Sequence, residues 1–308
     1  MNTSLGAHHS GADITRVTLT GSDLTVGLLT LGSILESVRL GEGPNMTVPP
    51  PTLRERPDDE IFIGPIVGPV VNRLTLPVDV AGQTLDLAPT GPEGYVLHSG
   101  DGGTSDRVWD IADQTESRVT FAIDLADGLG GFPGNRRITA TWTLDGPTLA
   151  LDIRATTDAP TLMNVAHHPY WALDGAGRDG HRLESPATRY TPCTPVFTPT
   201  GEVRPVAGSD YDFTSPASPP PTLDANLILG DTDSATPQHA ATLTSAGGRR
   251  LEVRTTAPGI QVFTGKPYGI ALGPQRWPNA PAHDGFPPIT LAPGAEFRQQ
   301  TTYRFSTI

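Results

Sequence analysis

Ten residues, NVAHHPYWAL from Asn164 to Leu173, gather an amide, two adjacent imidazoles, a phenol and an indole. A histidine titrates near neutrality and exchanges a proton at little cost, so this stretch is a candidate for acid–base chemistry. Metal ligation and a polar core are the competing readings. Four further segments carry polar groups that a plain strand or turn does not need. Asn72 and Arg73 stand in GPVVNRL, and His98 precedes a glycine-rich turn in YVLHSGDGG. Asp224 adjoins an apolar run in TLDANLIL, and Gln261 lies in the middle of the strand-like TTAPGIQVFTG.

Each of these has an ordinary structural alternative. An arginine beside an asparagine commonly forms a solvated pair, a histidine before Ser-Gly suits a turn, and an aspartate beside a strand suits a cap. Successive strand residues point to opposite faces, so His167 and His168 cannot easily share one ion. No other histidine stands at helical spacing from them. We therefore expect no metal and no organic cofactor. The single cysteine, Cys193, excludes an intramolecular disulfide and a cysteine zinc site.

The elements that must position these groups read as strands. In RITATWTLDGPTLALDIRA, Ile138, Ala140, Trp142 and Leu144 alternate with polar residues. After Asp145-Gly146-Pro147, Leu149, Leu151, Ile153 and Ala155 alternate again, which predicts a hairpin with one buried face. Phe297, Thr301, Tyr303 and Phe305 repeat the pattern near the C-terminus. Shorter strands are expected at 16–20, 117–125 and 249–255. The proline cluster SPASPPPTL, Ser215 to Leu223, reads as a surface loop. No segment of helical length shows helical periodicity. The 34 glycines and 32 prolines favour short strands joined by turns. The pattern predicts a large antiparallel sandwich or barrel forming one domain over residues 1–308.

A net charge of −12 repels polyanions, which argues against nucleic-acid and anionic-membrane partners. No signal peptide is visible in MNTSLGAHHSGADITR, and VGLLTLGSIL is too short to span a bilayer. A cytoplasmic location is expected.

Taken in order, the segments resemble the aldose 1-epimerase, or galactose mutarotase, family. GPIVGPVVNRL is similar to G-x-x-x-G-R-x-x-N-R-I/L, LHSG to L-H-G-G, and NVAHHPYWAL to N-x-T-N-H-S-Y-F-N-L. GFPGNRRITATWTL, PTGEVRPVAGSDYDF, LDAN, TTAPGIQVFTG and LAPGAEFRQQTTYRF continue the series across about residues 15–308. The resemblance implies a galactose mutarotase-like all-β supersandwich acting on a free monosaccharide, an aldohexose such as glucose or galactose. It implies removal of the O1 proton by a glutamate and delivery of a proton to the ring oxygen by a histidine, here His168. Arg73, His98 and Asp224 would bind the sugar, with Asn72, Tyr170 and Gln261 beside them. His167 stands where the family commonly has asparagine, Pro169 where it has serine, and Pro69 where it has arginine.

One departure bears on activity. The family reads G-x-x-L-E-x-Q-x-x-P-D-A, and this chain reads GIALGPQRWPNA. Leu272, Gln275, Pro278 and Ala280 keep the register, so the base position falls on Gly273, which cannot accept a proton. Three explanations stand: a variant with its base deleted, a non-catalytic sugar-binding relative, or replacement by another carboxylate such as Asp284 or Glu296. A glycosidase would need two carboxylates about 5–10 Å apart, and only Asp224 is assignable to the pocket.

Overall fold

The alternation centred on Trp142 folds as expected. In the computed structural model, which describes residues 1–53, 61–175 and 177–308, Arg136–Asp145 pairs antiparallel with Thr148–Thr157. The register runs from Arg136 opposite Thr157 to Asp145 opposite Thr148. Ile138, Ala140, Trp142, Leu149, Leu151 and Ile153 all fall on the buried face. Each fully buried aliphatic side chain of this kind contributes about 1.5–3 kcal/mol. The hairpin forms the third and fourth strands of an eight-stranded antiparallel sheet. On one side it continues through Arg118–Leu125 to Asp110–Gln114. On the other it continues through Phe297–Thr307, Arg249–Thr255 and Gln238–Ser245 to His181–Glu184.

A six-stranded sheet carries Tyr170, Asp224, Gln261 and Gly273, half of the candidate site residues. Its order is Tyr170–Trp171, Ile270–Gln275, Gly259–Phe263, Asp224–Ile228, Arg189–Thr191 and Arg204–Pro205. A four-stranded sheet of Asn2–Ala7, Asp13–Thr20, Leu24–Leu29 and Leu35–Leu40 completes the main framework. The three sheets share one apolar core, in which Val17 and Val26 join Trp142 and Ile153 with Ile260 and Leu272. Among the described residues the helical content is three 3-10 turns, Gly100–Gly102, Leu129–Gly131 and Ala280–Ala282. No helix among them is long and apolar enough to cross a membrane.

The two-residue period of a strand gives the six-stranded sheet two faces. Ala225, Leu227, Ile260, Val262, Ile270 and Leu272 point into the core. Their neighbours Asp224, Gln261, Phe263, Ala271, Gly273 and Gln275 line a cavity on the opposite face. The register sets Asn226, Gln261 and Gly273 side by side across three strands.

Candidate active site

The cavity measures about 320 Å³, near the lower bound of small-molecule sites. Eight of the residues singled out from the sequence reach its wall: Asn72, Arg73, His98, His168, Tyr170, Asp224, Gln261 and Gly273. They arrive from separate parts of the chain, and the backbone around each is tightly held.

Asn72 and His98 fix one another. The His98 backbone N–H donates to the Asn72 carbonyl at 2.9 Å. The Asn72 backbone N–H donates to His98 Nδ1 at 3.0 Å. Both residues have left-handed backbones, with φ of 68° and 52°. An Nδ1 that accepts a hydrogen bond leaves the proton on Nε2, so His98 is a neutral donor. Burial, then the nearby His168 and Arg73, push its pKa well below the ordinary histidine value, consistent with that neutral form. Asn72 also caps the next residue, its Oδ1 accepting from the Arg73 N–H at 2.8 Å.

Arg73 opens the short strand Arg73–Thr75, paired with Tyr95–Leu97. Its Nη1 lies 3.3 Å from Asp224 Oδ2, and both side chains are mostly buried. The guanidinium lies between two rings, with its carbon 5.5 Å from the Tyr95 centroid and 5.4 Å from that of Phe197. The other Asp224 oxygen accepts from Gln261 Nε2 at 2.6 Å, and Gln275 Nε2 lies 3.5 Å from Gln261 Oε1. A polar chain therefore runs from Arg73 through Asp224 and Gln261 to Gln275.

The adjacent histidines part, as strand geometry requires. His167 faces the core, with Nδ1 2.9 Å from the Tyr303 hydroxyl and its ring edge-on to Trp142 at 4.9 Å. Burial lowers its pKa to about 3. His168 faces the cavity, its ring 5.5 Å from His98 and 5.3 Å from Tyr170. Its backbone N–H donates to the Pro65 carbonyl at 2.9 Å. Burial lowers the His168 pKa to about 4, which leaves the imidazole neutral at pH 7. Among the described residues, His168 Nδ1 and Arg73 Nε are buried nitrogens without a hydrogen-bond partner. Buried polar atoms left unpaired are costly, and at a cavity wall they are the atoms a polar ligand satisfies.

Gly273 has open space before it. A Cβ built there meets one atom within 4 Å, the His167 carbonyl oxygen at 3.3 Å. The neighbouring positions in its strand are ordinary extended backbone, so a larger residue fits with a small local shift. Among the described residues, Asp224 is the one carboxylate on the cavity wall. Asp284 is exposed and lies elsewhere. Glu296 is bound 3.1 Å from Arg154 at the start of the C-terminal strand and is also outside the cavity.

Phe62, Phe263, Lys266 and Gln275 line the cavity without having been singled out from the sequence. Two of them carried a signal: Phe263 shares strand parity with Gln261, and Gln275 with Gly273. Phe62 and Lys266 carried none, because their place depends on how the loops cross the sheet.

An antiparallel supersandwich with a cavity lined by Arg73, His98, His168 and Asp224 on the outer face of its six-stranded sheet defines a galactose mutarotase-like protein. Residues 15–304 match the family described as Aldose 1-epimerase. The chain is 30% identical to galactose mutarotase of Sus scrofa, over 96% of both chains. It is 31% identical to aldose 1-epimerase of Escherichia coli K12, over 80% of this chain and 81% of that one. An aldose epimerase homologue from C. elegans superposes with a TM-score of 0.85 at 26% identity, covering 95% of this chain and 99% of the other. The chain belongs to the aldose 1-epimerase family.

Proposed function

We propose that the cavity binds a free aldohexose and interconverts its α- and β-anomers, at a rate limited by the missing base. In this reading the Arg73–Asp224–Gln261 chain and the His98 Nε2–H hold the sugar hydroxyls, with Asn72 and Tyr170 shaping the wall. His168 delivers a proton to the ring oxygen as the C1–O5 bond breaks. With no carboxylate at position 273, water takes the O1 proton, which gives the open-chain aldehyde; the C1–C2 bond rotates, and the ring closes on its other face as water returns a proton to O1 and His168 regains its own from O5. The sugar-binding half of this machinery is complete, and the proton-abstracting half is not.

The observation that carries the reading is the open position at Gly273, on the wall shared with His168 and across the strand pair from Gln261. Loss of a general base costs about 10²–10⁴ in rate, while binding and the remaining electrostatic contributions survive. The same observation favours a second reading, a sugar-binding protein without useful catalysis. Calorimetry with glucose and galactose, paired with polarimetry, separates the two. Saturable binding with anomerisation above the buffer rate supports the enzyme, and binding alone supports the second reading. Absence of binding at millimolar sugar contradicts both.

A further inference from the structure

Adjacent histidines in a strand point apart, but His8 and His9 lie past the end of Asn2–Ala7, where the chain turns. The turn brings their rings to the same side, with centroids 3.8 Å apart. Asp106, from a distant loop, completes a cluster. His8 Nε2 lies 3.6 Å and His9 Nδ1 3.9 Å from Asp106 Oδ2. One ligand atom from each of the three residues lies within 4.8 Å of the other two.

We propose that His8, His9 and Asp106 form a site for a divalent transition metal ion, with zinc as the reference ion. Two imidazole nitrogens and one carboxylate oxygen are a donor set suited to zinc, nickel or cobalt and poorly suited to magnesium or calcium. Bonds of roughly 2.0–2.2 Å in a tetrahedron set donors about 3.4 Å apart. The two histidine-to-carboxylate separations, 3.6 and 3.9 Å, exceed this by a few tenths of an ångström, and the two imidazole nitrogens lie within 4.8 Å of one another. His9 is largely exposed, so its ring can close that gap without disturbing packing. His8 is buried, and its Nδ1 lies 3.0 Å from Ser10 Oγ. The Ser10 N–H also lies 3.4 Å from Nδ1, so metal binding at Nε2 takes the tautomer whose Nδ1–H donates to Ser10 Oγ, the kind of oxygen partner a ligating histidine commonly has.

The three residues line a second cavity of about 580 Å³, so a bound ion keeps coordination positions open on that side. Phe62 and His98 border both this cavity and the sugar cavity. The ion ties the first turn of the chain to the 100–107 loop, which follows directly from His98. Its role is to brace the loop behind a sugar-binding histidine. It takes no part in proton transfer.

The full chain is treated with EDTA, exchanged into metal-free buffer and titrated calorimetrically with zinc chloride, with magnesium chloride as comparison. The expected result is one zinc per chain at micromolar affinity or tighter, with magnesium silent. Zinc at a hundredfold excess over its Kd raises the Tm by roughly 5 °C. His9→Ala and Asp106→Asn change exposed or partly exposed side chains, and each weakens zinc binding at least tenfold and removes the Tm rise. Cobalt provides a second readout, its visible absorption bands being strong only at four- or five-coordinate sites. Absence of saturable zinc binding overturns the proposal, and so does binding that both variants leave unchanged.

Discussion

Gly273 stands directly opposite Gln261 in the antiparallel pair of Gly259–Phe263 and Ile270–Gln275, both on the cavity face. Opposed residues in such a pair have Cβ atoms about 4.5–5.5 Å apart. Gln261 is held by Asp224, and Asp224 by Arg73. A carboxylate at position 273 would therefore project beside the polar chain of Gln261, Asp224 and Arg73. In the proposed reading the glycine lacks one functional group while the polar groups around it remain.

Small carboxylates are expected to restore part of the activity. Formate fits the space that a glutamate side chain would fill, since the His167 carbonyl is the one atom near an added Cβ. Anomerisation should rise several-fold and saturate with formate, and chloride at equal ionic strength should have no effect. A rise of the same size in the Gly273→Glu variant would place formate somewhere other than the vacated space.

Asp224→Asn should weaken sugar binding about 10- to 100-fold, the size expected when a charge-assisted hydrogen bond is lost in a buried setting. The isosteric amide preserves shape but removes the charge facing Arg73, 3.3 Å away. Calorimetry with galactose tests this. Unchanged affinity with unchanged folding would separate the pair from the sugar.

The pH profile should report His168. Its pKa of about 4 leaves little imidazolium at pH 7, about one part in a thousand. The rate above buffer background should climb as pH falls from 7 and level off below about 4. A carboxylate on the same wall favours the protonated ring, so Gly273→Glu should move the His168 midpoint upward in an NMR titration. His168→Ala should abolish the pH-dependent excess in both backgrounds, and a persisting excess would assign the acid to another group.

His167 should shape stability. Its folded pKa of about 3 lies below the ordinary 6.5, so the unfolded chain binds the proton more readily. Stability from this group is fully present above pH 6.5 and declines as pH falls through that value towards 3, by a few kcal/mol in all. His167→Asn should lower stability at pH 7.5, because it removes a buried ring packed on Trp142. It should also flatten the decline between pH 6.5 and 4 in urea titrations. An unchanged slope would mean that His167 is not the group responsible.

Much of this was legible in the sequence because the strands alternate so cleanly. Trp142 and Leu151 announce a buried face, and Gln261 stands out because a strand interior has no need of an amide. The parting of His167 and His168 follows from the same two-residue period. Phe197 over Arg73 was not legible, since a ring in the loop joining Arg189–Thr191 to Arg204–Pro205 has no sequence relation to the arginine it covers. The His8–His9–Asp106 cluster escaped for the opposite reason. The rule that separates neighbouring strand residues does not hold in a turn, and nothing local to His8 points to Asp106.

The most direct measurement is the anomerisation of α-D-glucose by Gly273→Glu and by the unaltered chain, followed by polarimetry at pH 7. A rise in kcat/KM of at least about a hundredfold is expected, the size of a restored general base. An unaltered chain that is already fast, with no gain on adding the carboxylate, would contradict the assignment of Gly273 as the empty base position.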